Sequence, residues 1–145
     1  MAADYPGYAY ETLTVTAEGY ILPLIHIWND AKRDVSKGPI LFQHGGGMDG
    51  SDWLEKWAVA APPIQMADEG HDIYMSSWRG TEFARGHETI DEKTDPQAFW
   101  DFAKEDLGRD LVANIRTMRE TAFSKEKGYL VGYSMGTHLS MIAMA

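Results

Sequence analysis

The sequence predicts a mostly parallel, three-layer α/β sheet with a β-hairpin at its start. Three observations carry that reading. Short apolar runs alternate with stretches of helical periodicity from residue 39 onward, the pattern of strands and helices packed in layers around one sheet. Residues 39–43 are apolar without alternation and stop at a glycine cluster, which suits a strand buried on both faces. Residues 11–16 and 20–28, by contrast, are separated only by the turn signal Ala17-Glu18-Gly19 and read as a hairpin. The 145 residues are one domain's worth of chain, and 44% hydrophobic residues suffice for a packed core.

The elements follow in order. Pro23 places part of the hairpin at a sheet edge, because proline cannot donate to a ladder. Residues 29–38 are a polar loop before the buried strand 39–43. A short helix is expected over 53–61, closed by Pro62-Pro63, and another over 64–69, stopped by Gly70. Residues 72–77 form the next strand, and 78–94 a long, charged, glycine-bearing loop. Asp95 then caps a helix with Pro96 at its first position. Phe99, Phe102, Leu107, Leu111, Ile115, Met118 and Ala122 make one apolar face, with a bend at Gly108. Residues 129–131 are a short strand, and a last helix runs over 137–145.

Composition narrows the function classes. Asp and Glu number 22 against 13 Lys and Arg, a net charge of −9, which disfavours nucleic acid and anionic membrane surfaces as partners. Without cysteine there is neither a disulfide framework nor a thiolate metal site. The histidines, at 26, 44, 71, 87 and 138, lack H-E-x-x-H spacing, so no metal site is expected. No apolar run reaches the length of a membrane span. The opening Met1-Ala2-Ala3-Asp4-Tyr5-Pro6-Gly7 is not a signal peptide, and neither Asn29 nor Asn114 lies in an N-x-S/T sequon.

Two motifs carry chemistry. Gly132-Tyr133-Ser134-Met135-Gly136 is a G-x-S-x-G pentapeptide between an apolar strand and a helical pattern. In that setting the glycines permit a sharp turn that exposes the serine hydroxyl as a nucleophile. No organic cofactor is expected, since nucleophilic serine chemistry needs none. Gln43-His44-Gly45-Gly46-Gly47 follows the earlier buried strand, and backbone N–H groups of such a loop can face a developing oxyanion. Gly46 and Met135 are the expected pair of donors. His44 reads as structural, bonding the glycine loop rather than acting as general base. His138, four residues past Ser134, belongs to the helix flank. Arg79 is expected to anchor the 78–94 loop to a carboxylate. Phe99-Trp100-Asp101-Phe102 reads as helix packing, and Met135, Met141 and Met144 as core.

With these motifs in place, the chain resembles the N-terminal part of the acid lipases, the gastric and lysosomal group with its ciliate relatives. The matching stretches are EGYILPLIHI, ILFQHGGGMDGSDW, ADEGHDIYMSSWRGTEFARGHETI, FWDFAKEDLGRDLVANI and YLVGYSMGT, in family order from about Tyr8 onward. The resemblance implies an α/β-hydrolase fold and hydrolysis of lipid esters such as acylglycerols or sterol esters. It puts the nucleophile at Ser134 and the oxyanion donors at Gly46 and Met135. Three positions depart from the family: Gly46-Gly47 stand where relatives usually carry apolar residues, and Met135 where Gln is common.

The resemblance also sets expectations about what lies beyond this chain. In α/β hydrolases the acid and the histidine follow the serine. Residues 135–145 hold no Asp or Glu, and His138 comes too early. The fold is therefore expected to stop after the nucleophile turn, residues 1–145 being the N-terminal part of one domain, inactive alone. The strand ending at Gly132 becomes a sheet edge, to be covered by a second chain, another copy, a larger assembly or a rearranged C-terminal helix. The alternative is a non-catalytic hydrolase-fold subunit. Family membership suggests a lysosomal or secreted protein, whereas the absence of a signal peptide and sequon leaves an intracellular site open.

Overall fold

The hairpin pairs β1 (Ala9–Ala17) with β2 (Tyr20–Trp28) in antiparallel register from Ala9↔Trp28 to Ala17↔Tyr20. Its two-residue turn has positive φ at Glu18 (50°) and Gly19 (86°), the combination whose twist matches a hairpin. This computed structural model describes residues 5–55 and 60–145. β3 (Ile40–Gln43) and β4 (Ile73–Ser76) are buried along their whole length and pair in parallel, and β3 pairs in parallel with β6 (Tyr129–Gly132). The result is a 6-stranded mixed sheet in the order β1-β2-β4-β3-β6, with the short β5 (Gly86–His87) paired to β2.

Side chains alternate between two cores, as the two-residue period of a strand requires. Leu41 and Tyr74 face a layer containing Leu107, Leu111 and Met118 of α4 (Lys104–Thr121) and Leu139 of α5 (Met135–Met144). Ile40, Phe42, Ile73 and Met75 face the opposite layer, with Leu54 of α1 (Asp52–Glu55) and Ile64 and Ala67 of α2 (Pro62–Asp68). This is the three-layer α/β architecture. Among the described residues, no helix is long and apolar enough to cross a membrane.

Part of the hairpin does lie at a sheet edge, through β1. β2, which carries Pro23, is interior, and Pro23 falls between its β5-paired residues (20, 21) and its β4-paired residues (24–27). Other local expectations change. Pro62-Pro63 open α2 instead of only closing the helix before it. That earlier helix is described over Asp52–Glu55, and the rest of the 53–61 expectation reaches into residues 56–59, outside the described residues.

The long helix expected from Pro96 is two. α3 (Pro96–Phe99), capped by Asp95 accepting from Ala98 N–H, ends before α4 begins. Tyr20 Oη donates to the Phe99 carbonyl, and Ala103 N–H donates to Asp106 (2.7 Å). The groups that would have continued one helix are thus used elsewhere. Gly108 marks a helix crossing: a Cβ there would lie 2.7 Å from Ile142 Cγ2 of α5. Phe99 is fully buried against Tyr20, while Trp100 is exposed.

At the β6 side, Tyr129 (58% exposed) and Val131 (38%) point outward, while Leu130 packs on the core. Met135 also packs on the core, but Met141 (64% exposed) and Met144 (71%) do not, contrary to the core expectation. Helical spacing alone could not tell a core stripe from an outward one, because α5 is apolar nearly all round.

Candidate active site

The carboxyl ends of β3 and β6 lie side by side, and each leads into a glycine-bearing turn. After β6 the ladder runs one step further: Tyr133 N–H donates to the Gln43 carbonyl (3.0 Å). The chain then reverses at Ser134, whose φ of 52° and ψ of −119° lie in a region that L-residues rarely occupy. Thr137 Oγ1 donates to the Gly132 carbonyl (2.8 Å) and Ser140 Oγ to that of Gly136 (2.7 Å), tying α5 to the turn.

Both motif glycines are demanded by close approach. A Cβ at Gly132 would lie 2.7 Å from Thr137 N, and one at Gly136 would lie 2.3 Å from the His44 carbonyl oxygen and 2.5 Å from that of Gln43. The serine turn is thereby pressed onto the start of the glycine loop. A Cβ at Gly45 would meet Ser134 Cβ at 3.2 Å, and one at Gly46 would meet Met135 Cε at 3.9 Å. Ser134, Gly46 and Met135 are therefore neighbours. Ser134 and Gly46 are exposed and Met135 half-buried. Among the described residues, no hydrogen bond joins Ser134 to a histidine. His138 is exposed on α5.

The glycine loop is fixed from behind. His44 is fully buried, its ring 3.8 Å from that of Trp78, and its Nδ1 lies 2.8 Å from the Gly45 carbonyl. Burial holds its pKa below the ordinary histidine value, outweighing the Gly45 hydrogen bond and the charges of Asp49 and Asp52. Further along, Gly50 N–H donates to Ser77 Oγ (3.2 Å), and the Asp49 carboxylate accepts from Ser51 N–H and Oγ (both 2.7 Å). Tyr133 of the pentapeptide meets Trp53 of α1 edge-on at 6.4 Å. A cleft of about 570 Å³ opens beside the loop, lined by Gly47, Asp49, Asp52, Trp78, Thr81 and Phe83 among others.

Arg79, at the start of the loop that follows β4, is buried and forks onto Asp110 of α4 (Nη2 to Oδ1 2.6 Å, Nε to Oδ2 3.0 Å). Its Nη2 also reaches Glu18 of the hairpin turn (3.0 Å), and its guanidinium lies 4.2 Å from the Tyr20 ring centroid. Burial opposes its charge, but Asp110 and Glu18 more than offset this and raise its pKa. The carboxylate expected for Arg79 is thus Asp110, which sequence reading left unnamed. Asn114, one turn on, donates to the Ser77 carbonyl (3.2 Å), so a buried polar pair spaced i, i+4 ties α4 to the end of β4. The signal was there: Asp110 and Asn114 interleave with the apolar stripe Leu107, Leu111 and Met118.

Comparison with known proteins bears on the fold and its family. The family model described as alpha/beta hydrolase fold matches residues 38–145. The chain is 34% identical to the lysosomal acid lipase/cholesteryl ester hydrolase of Homo sapiens over 139 residues, covering 93% of this chain and 34% of that protein. It is 35% identical to triacylglycerol lipase 1 of Arabidopsis thaliana over 130 residues, covering 89% of this chain and 32% of that protein. It thus spans about a third of the length of the curated relatives it matches. Among solved structures, a cold-adapted esterase from an Arctic intertidal metagenomic library superposes with a TM-score of 0.68 at 12% identity, covering 96% of this chain and 56% of that one, which speaks to the fold alone. On the family match and on the sheet, turn and loop described above, the chain belongs to the α/β-hydrolase fold family, and within it is similar in sequence to the acid lipases.

Proposed function

We propose that this chain carries the nucleophile and oxyanion half of an acid-lipase-type serine ester hydrolase acting on lipid esters. The observation that carries the reading is the strained Ser134 turn pressed, through Gly136, onto the His44–Gly47 loop. Ser134 Oγ attacks the ester carbonyl, and its proton passes to a general base supplied by residues outside this chain. The carbonyl oxygen gains negative charge and is held by the N–H groups of Gly46 and Met135. The tetrahedral species collapses to an acyl-serine as the alcohol leaves with a proton, and water then releases the fatty acid. Because both donors are backbone groups, the departures from family residues at 46, 47 and 135 leave the chemistry intact.

The base and its orienting acid belong on polypeptide that adds to the free side of β6, as further sequence, a second chain or another copy. Without them the chain keeps only the slow catalysis of an oxyanion hole. An alkyl fluorophosphonate is expected to add one phosphonyl mass to the chain, slowly and at Ser134, and none to Ser134→Ala. Equal labelling of both proteins would sink the proposal. A wild-type chain that stays unlabelled would support the second reading, a non-catalytic hydrolase-fold subunit of a larger assembly, for which the side of β6 unpaired among the described residues offers a docking edge.

A further inference from the structure

The ring of His44 makes one hydrogen bond among the described residues, and its acceptor is informative. A carbonyl cannot donate, so at 2.8 Å from the Gly45 oxygen Nδ1 must carry the proton. That carbonyl and the Gly46 N–H belong to the same planar trans peptide and point in opposite directions. One hydrogen bond therefore orients both. Glycine on each side, followed by Gly47 at φ 71°, leaves this peptide with little steric resistance to rotation. A flip would aim a carbonyl where the N–H should be and repel a developing oxyanion.

The rest of the ring argues against simple packing. Nε2 is buried without a partner among the described residues, a penalty an apolar ring stacked on Trp78 would avoid. The peptide it holds borders the serine, since a Cβ at Gly45 would lie 3.2 Å from Ser134 Cβ.

We infer that His44 is a positioning residue: by holding the Gly45 carbonyl it locks the Gly45–Gly46 peptide with its N–H toward the oxyanion formed at Ser134. The inference rests on the ester-hydrolase reading above and extends it. Burial disfavours the charged ring, and the Gly45 carbonyl selects the Nδ1–H tautomer of the neutral one.

Two measurements test it. In the wild-type chain, long-range ¹⁵N–¹H spectra at pH 7 should show His44 protonated at Nδ1 alone; an Nε2–H tautomer overturns the inference. The second compares His44→Phe, which keeps the ring but cannot donate, with His44→Asn, whose amide N–H sits where Nδ1–H does. Fluorophosphonate labelling of Ser134 should slow about 100-fold in His44→Phe through the phosphonylation step, with reagent affinity unchanged. His44→Asn should recover most of that loss. Labelling of His44→Phe at the wild-type rate, or no recovery in His44→Asn, overturns it. If Ser134 never labels, the hydrolase reading fails on its own, and the Gly46 amide resonance decides the positioning claim. That resonance should move in His44→Phe and return in His44→Asn; no movement overturns the claim.

Discussion

At the scale of single residues, the serine turn stores strain that the rest of the molecule sustains. Ser134 sits at φ 52°, ψ −119°, where glycine is at home and serine is not. Ser134→Gly is expected to raise stability by about 1–2 kcal/mol while abolishing phosphonylation, measured by urea melts and mass spectrometry. The neighbouring glycine behaves oppositely. Gly136→Ala would drive a methyl to 2.3 Å from the His44 carbonyl oxygen, so the turn and the loop must part. That variant should lose about 2–4 kcal/mol and label far more slowly at Ser134. The pentapeptide and the glycine loop were legible in the sequence because their residue types are dictated by backbone conformation. Arg79 was legible as an anchor, but its partner was not. Asp110 looks like any helix-surface acid until tertiary packing brings Arg79 over it.

At the scale of elements, buried ion pairs fasten helices and loops to the sheet. Asp110→Asn leaves the Arg79 charge, 3% exposed, with only the half-exposed Glu18 carboxylate, and should cost about 3 kcal/mol in a urea melt. A second fastening lies at the opposite end of the sheet. Asp72, just before β4, accepts a fork from Arg33 (2.5 and 2.9 Å) and the Phe123 N–H (2.7 Å), with His26 at 3.9 Å. Burial works to raise its pKa, and these donors more than reverse that, holding it well below the carboxylate range. A depressed folded-state pKa contributes stability above the unfolded value of about 4 and loses it as pH falls below. Asp72→Asn should therefore destabilise by about 2–3 kcal/mol at pH 7, Arg33 being partly hydrated, and the gap to wild type should narrow toward pH 2. Equal gaps at both pH values would refute this linkage. The strands and helices around these pairs were readable from periodicity. The α3–α4 break was not, because Tyr20, far away in sequence, takes the Phe99 carbonyl that a continuous helix would have used.

At the scale of the whole molecule, the two flanks of the sheet differ in kind. The β1–β2 flank is a long hairpin, whereas the β6 flank exposes Tyr129 and Val131 beside a ladder that is unpaired among the described residues. Such an edge is a template for further strands. The isolated chain is expected to associate as its concentration rises, and Tyr129→Lys with Val131→Lys should suppress this, as followed by light scattering. Scattering that stays monomeric for wild type would show the edge to be protected in another way. The edge also bears on how the site comes into being. Ile40 pairs with Tyr129, so the glycine loop meets the serine turn only after a long excursion of chain. On the ribosome the loop can rest on β4 and Trp78 early, but it must wait for the serine turn until β6 has emerged. Contacts of such sequence separation form slowly, so the catalytic geometry is set late in folding, after the hairpin has closed.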